Sequence, residues 1–101
     1  MARFYISKEV CTDDPAVQKR IERDFPEEKE RATPNGARLC LQWGRYIYDD
    51  GELEEGYRFI WRRSDGSLQA ARGQARIPSL RIARILMEVA EEQGWGSYAG
   101  S

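Results

Sequence analysis

The sequence predicts an α+β fold in the order β-α-β-β-β-α: an antiparallel sheet of three to four strands with its helices packed on one face. Three observations lead there. Apolar residues recur every four positions near both ends of the chain, they alternate every two from Ala37 onward, and Pro-Asn-Gly and Asp-Gly clusters separate these stretches. With 101 residues, the chain is one domain's worth, residues 1–101, of which residues 96–101 are expected to fray. A chain of that size buries roughly two-thirds of its extended surface, enough for a core.

Residues 3–7 alternate, with Phe4 and Ile6 on one side and Arg3, Tyr5 and Ser7 on the other, which predicts a short strand. A helix follows. Asp13 or Asp14 caps it by accepting from free backbone amides, Pro15 suits its first position, and Val17, Ile21 and Phe25 form its apolar stripe. Pro26 ends or kinks it, residues 27–31 restart a helical turn, and Thr33-Pro34-Asn35-Gly36 breaks the pattern.

The period then shortens to two. Leu39, Leu41 and Trp43 share a strand face, and Gly44 is expected to mark a bulge so that Tyr46 and Tyr48 continue the aromatic pattern. Residues 49–56 connect to a second strand, in which Tyr57, Phe59 and Trp61 alternate with Arg58, Ile60 and Arg62. Ser64-Asp65-Gly66-Ser67 reads as a two-residue hairpin. That register sets Ser64 against Ser67, Trp61 against Ala70, Ile60 against Ala71 and Phe59 against Arg72, with the third strand fading at Gly73. Ser79 caps the last helix, Ile82, Ile85, Leu86, Val89 and Ala90 form its buried stripe, and Gly94 ends it in a left-handed cap with Trp95 folding back. Arg84 and Glu88, four apart on its outer face, are spaced to pair. With both helices on one sheet face, the opposite face presents Arg58, Ile60, Arg62, Gln69 and Ala71.

Composition removes whole function classes. There is no histidine, hence no Ser-His-Asp or Cys-His pair and no imidazole metal ligand. Cys11 and Cys40 are too few for a closed cysteine-only zinc site. They read as small buried hydrophobes, without a disulfide in the reducing compartment expected for this chain. No apolar run approaches the roughly 20 residues of a membrane span, and the first residues lack the apolar stretch of a signal peptide. A cytoplasmic protein with no membrane contact is expected.

Charge is nearly balanced in sum, 16 basic against 17 acidic residues, but uneven along the chain. Residues 38–55 hold two bases and five acids, net −3, whereas residues 56–85 hold seven bases and one acid, net +6. All seven bases are arginine. Arg58, Arg62, Arg63, Arg72 and Arg76, with Trp61 and Tyr57, form a candidate partner-binding set, because arginine offers a planar fork of donors and aromatic rings anchor interfaces. Asp49, Asp50, Glu52, Glu54 and Glu55 form a candidate acidic docking tip for a basic partner. Their spacing does not match a calcium loop, so no metal and no cofactor is expected.

Trp43-Gly44-Arg45 resembles the core of the Trp-Gly-Arg domain, a nucleic-acid-associated module, and Phe4-Tyr5 and Gly94-Trp95-Gly96-Ser97-Tyr98 extend the likeness weakly. Tyr46-Ile47-Tyr48 replaces that family's Ile-Gly continuation, and the helix cap Ser79 lies 34 residues beyond Arg45, farther than in the family. The element order is similar to the double-stranded-RNA-binding domain, without its Lys-Lys pair or histidine-bearing loop. Neither likeness decides function. The residues point instead to a non-enzymatic protein that docks a macromolecule, a protein before a nucleic acid, through the Arg/aromatic sheet face or the acidic tip. The alternative is nucleic-acid binding through the arginine-rich second and third meander strands. An unpaired sheet edge also suits a homodimer.

Overall fold

Strand β1 (Arg3–Cys11), helix α1 (Pro15–Asp24), short helix α2 (Lys29–Ala32), strands β2 (Arg38–Ile47) and β3 (Leu53–Arg62) and helix α3 (Leu80–Glu92) succeed one another in the computed structural model, which describes residues 3–69 and 75–96. The fold is α+β. Its three antiparallel strands form one sheet in the order β1-β2-β3.

Helix ends follow the residues able to make them. Asp14 caps α1 by accepting from the Ala16 N–H at 3.0 Å, with Pro15 next to it, and Ser79 caps α3 by accepting from the Ile82 N–H at 3.1 Å. At the far end of α3, the Trp95 N–H donates to the Ala90 carbonyl and the Gly94 N–H to that of Glu91. Gly94 takes a φ of 76°, completing a Schellman cap whose following residue, Trp95, is buried in the core. Glu88 pairs with Arg20 of α1 at 3.2 Å rather than with Arg84, and Arg20 also bonds Glu92, so the expected intrahelical pair is replaced by a link between helices.

One core cluster joins Val17 and Ile21 of α1, Ala32, and Ile82, Ile85, Leu86, Val89 and Ala90 of α3 to Val10, Leu39 and Leu41 of the sheet, with Phe25, Trp43, Phe59 and Trp61 packed around it. Cross-strand pairs Leu39–Trp61, Leu41–Phe59 and Trp43–Tyr57 set these side chains on one sheet face, hereafter the inner face. Thr12, fully buried, ties the α2 end to the sheet. Its Oγ1 donates to the Ala32 carbonyl at 2.6 Å and accepts from the Leu39 N–H at 3.1 Å.

Several expectations are corrected. The first strand runs to Cys11, not residue 7, because a bulge between Ile6 and Lys8 shifts the alternation by one and hands the inner face to Val10. The bulge lies there, opposite Gly44, and not in β2. Gly44 is needed for another reason: a Cβ there would lie 2.5 Å from Phe4 Cζ and inside contact distance of the Tyr5 carbonyl oxygen. Tyr46 and Tyr48 accordingly belong to the outer face, opposite Trp43, without any distortion of β2.

β3 begins at Leu53, so Glu54, Glu55 and Gly56 are strand residues and the connection shrinks to the turn after Ile47. The Asp65-Gly66 hairpin has a three-residue loop: the Arg63 N–H donates to Ser67 O, the Gly66 N–H to Arg63 O, and Arg62 bridges Leu68. Gly66, at φ 89°, supplies the left-handed residue of the bulged turn, and the register moves one residue from the two-residue expectation. Ser67, not facing Ser64, faces Arg63. The 50–51 turn repeats this design. Gly51 is at φ 87°, its N–H donates to Tyr48 O, and Asp50 accepts from the Glu52 N–H at 2.9 Å just as Asp65 accepts from that of Ser67. Beyond Gln69, whose N–H donates to Trp61 O, the expected pairings through Ala70, Ala71, Arg72 and Gly73 lie outside the described residues. Residues 97–101 of the expected frayed tail lie outside them too.

A further correction concerns the thiols. Register places Cys11 directly opposite Cys40, with Cα atoms 4.0 Å apart, and the two sulfurs are bonded. The expectation of free cysteines rested on an inferred compartment. Strand pairing overrides it.

Candidate interaction surfaces

The outer sheet face is built from residues that alternate with the core. Across its middle, register aligns Glu9 of β1, Gln42 of β2 and Arg58 of β3. Gln42 is completely buried, and its amide has one orientation that satisfies both neighbours: Nε2 donates to Glu9 and Oε1 accepts from Arg58 Nε at 2.8 Å. Arg62 reaches diagonally to Glu9, with Nη2 at 2.9 Å, and donates through Nη1 to the Gly66 carbonyl. Arg58 also stacks on Phe4, its guanidinium carbon 4.1 Å from the ring centre, and burial lowers its pKa from the ordinary arginine value.

Apolar ground flanks this polar ladder. On one side the disulfide, Ile60 and Leu68 form a small cluster; on the other Phe4 and Tyr46 pack at 4.6 Å, and Tyr48 stacks beside Tyr46. Glu9 and the two sulfurs are the one group among the described residues whose ligand atoms are close enough for a metal. The sulfurs are bonded to each other, and the Glu9 oxygens accept from Gln42 and Arg62.

The candidate arginine and aromatic set is therefore divided. Arg58 and Arg62 lie on the outer face and are held by Gln42, Phe4 and Glu9, whereas Tyr57 and Trp61 lie on the inner face. Trp61 donates from Nε1 to the Arg76 carbonyl at 2.8 Å, and Tyr57 rests on Trp43 at 4.7 Å with burial, then Glu91, raising its pKa. Arg63 donates to Ser67 Oγ and the Leu68 carbonyl; Arg76 is exposed; Arg72 lies outside the described residues. Strict alternation sends adjacent residues to opposite faces, so interleaved arginines and aromatics do not make one surface.

The acidic candidates stay closer together at the β2–β3 end. Asp49 and Asp50 sit in the turn, Glu52 follows it, and Glu54 and Glu55 are in β3 on opposite faces. The Tyr48 hydroxyl donates to Glu54 Oε2 at 2.9 Å, which raises the tyrosine pKa, while Glu55 faces Arg45 across the strands. Leu53 is 61 % exposed beside them, and Tyr5 and Tyr48 are exposed at the same end.

A groove that sequence patterning did not anticipate runs between β3 and α3. Its volume is about 470 Å³, its floor is Leu41, Tyr57, Phe59 and Ala90, and its rim carries Arg84, Met87, Glu88 and Glu91. Glu9, Gln42 and Phe4 were likewise missed. Gln42 alone carried a signal, an uncharged polar residue midway along an apolar strand.

Comparison with protein-family models, with curated proteins and with solved structures finds no match for this chain.

Proposed function

We propose that the chain is a non-enzymatic interaction protein that docks a basic protein partner through the acidic end of the β2–β3 hairpin. One observation carries this reading. Asp49, Asp50 and Glu52 at the turn, with Glu54 beside exposed Tyr48 on one face and Glu55 on the same face as exposed Leu53 on the other, set five carboxylates and two exposed large side chains at one end of the hairpin, the composition of a charge-steered docking site. The helices lie on one sheet face in this reading, so the hairpin end projects free of them. The absence of histidine supports a binding role over catalysis.

Nucleic-acid binding through the arginine-rich strands is the second reading. It draws on Arg63 and Arg76 near Trp61, but Arg58 and Arg62 already serve Gln42 and Glu9. A titration of isotope-labelled protein discriminates the two. With a basic peptide, amide shifts are expected at residues 48–55, weakening between about 50 and 200 mM salt, and Asp50→Lys with Glu52→Lys abolishes them. Salt-sensitive shifts at residues 56–69 and 75–85 with DNA or RNA, and silence with the peptide, would establish the second reading instead.

A further inference from the structure

We infer that, in its reduced form, the chain binds a zinc ion through the thiolates of Cys11 and Cys40 and the carboxylate of Glu9, so that metal binding and disulfide formation are alternative fates of the same two thiols. Strand geometry brings the ligands together. The Thr12 N–H donates to the Leu39 carbonyl at 2.9 Å, so the neighbouring pair Cys11–Cys40 takes a non-hydrogen-bonded position, where facing side chains approach most closely. Glu9 precedes Cys11 by two residues and shares its sheet face. A carboxylate oxygen of Glu9 and both sulfurs lie within 4.8 Å of one another. Opening the bond leaves this register in place, because Glu9–Gln42, Val10–Leu41 and the Thr12–Leu39 hydrogen bond still align β1 with β2.

The donor set selects the ion. Two thiolates and one carboxylate without an imidazole suit zinc, which takes sulfur and oxygen ligands tetrahedrally and fills a fourth position with water. The outer shell is already built. Glu9 accepts from Gln42 Nε2 and from Nε and Nη2 of Arg62, and Gln42 is fixed in turn by Arg58, so the carboxylate is oriented before an ion arrives. Among the described residues its Oε1 accepts from Arg62 Nε alone, at 3.1 Å, which leaves a lone pair for the metal. Zinc with two thiolates and a carboxylate carries a net negative charge, and the Arg62 guanidinium offsets it. Ile60 and Leu68 pack against the cysteines and limit the access of solvent to them.

The exchange between the two states balances. A small-molecule disulfide takes two electrons from the thiolates and two protons from solvent and leaves as two thiols, while the Cys11–Cys40 bond forms and the zinc ion departs with its charge unchanged. In the other direction a dithiol reductant gives two hydrogens to the bond and closes its own disulfide, and zinc then displaces the two thiol protons. Cys40 and the acidic hairpin lie toward opposite ends of β2, so the inference does not rest on the docking function proposed above.

Protein refolded with a dithiol reductant, freed of it without air and titrated with zinc should bind one ion per chain, release about two protons, show the amide spectrum of the folded chain and melt at a higher temperature than the zinc-free reduced form. Cobalt(II) in its place should give thiolate-to-cobalt charge-transfer absorption. The disulfide-bonded protein and the Cys11→Ser/Cys40→Ser variant should do neither. Glu9→Gln should weaken zinc binding at least about tenfold, since the loss of even an outer partner of a ligand costs that much. Reduced protein that binds zinc no more tightly than the cysteine-free variant would overturn the proposal. So would zinc held by a chain without the folded amide spectrum, or an unchanged affinity in Glu9→Gln.

Discussion

Opening the Cys11–Cys40 bond should remove a large share of the stability of this fold. The bond joins residues 29 apart in sequence, and restricting a loop of that length in the unfolded chain contributes about 3.5 kcal/mol on the chain-entropy account. A domain of this size has roughly 5–15 kcal/mol in total. The corresponding drop in melting temperature is about 15–25 °C. Both sulfurs lie at the sheet, with Cys40 fully buried and Cys11 nearly so, so reductant reaches them poorly in the folded state. The assay therefore compares protein refolded with and without reductant, and the Cys11→Ala/Cys40→Ala variant, by thermal and urea unfolding. Intact-mass measurement confirms each redox state by the two hydrogens gained on reduction. If bonded and reduced proteins unfold within about 0.5 kcal/mol of one another, the loop constraint is not what the bond supplies and the reasoning fails.

Other outcomes follow from single contacts. Gly44→Ala should cost about 3 kcal/mol in urea unfolding, because its methyl group collides with the Phe4 ring and the Tyr5 backbone, neither of which can retreat without opening the β1–β2 ladder. Gln42→Leu keeps the volume but leaves Arg58 Nε without its acceptor and Glu9 without one donor, and should cost about 2 kcal/mol, with the Arg58 side-chain resonance losing its protection from exchange. Asp65 titrates below the ordinary aspartate range, chiefly because the Ser67 hydroxyl and then its N–H donate to the carboxylate. A depressed folded pKa means that this turn's contribution is present above the unfolded value and lost as pH falls through the folded one. Carbon-detected titration of Asp65 should show the low midpoint, and Ser67→Ala should raise it.

What was legible in the sequence was whatever a local rule determines. Asp14-Pro15 and Ser79 announce helix starts because capping needs only neighbouring residues, and Gly94-Trp95 announces the end of α3 for the same reason. Alternation found β2 and the inner-face aromatics of β3. It failed at Ser7 because a bulge is a property of two strands, and Gly44, the visible mark, is on the facing one. The disulfide needed the same missing knowledge, the register of β1 against β2. Ser64-Asp65-Gly66 and Asp49-Asp50-Gly51 differ from a two-residue hairpin only in which residue is counted as the last of the strand, and the dipeptide does not settle that. As for the candidate surfaces, the acidic residues held together because a turn gathers neighbours, while the arginines and aromatics separated because a strand divides them.

The cross-strand bond has a topological result. Residues 12–39, which include α1 and α2, are closed into a covalent ring fastened at one point of the sheet. A protease cut anywhere in that ring yields two peptides that stay attached, so a nicked molecule keeps the mass of the intact chain plus one water until it is reduced. Both pieces retain their shared anchor at Cys11 and Cys40, and the severed helical segment can refold as an intramolecular partner rather than a lost fragment.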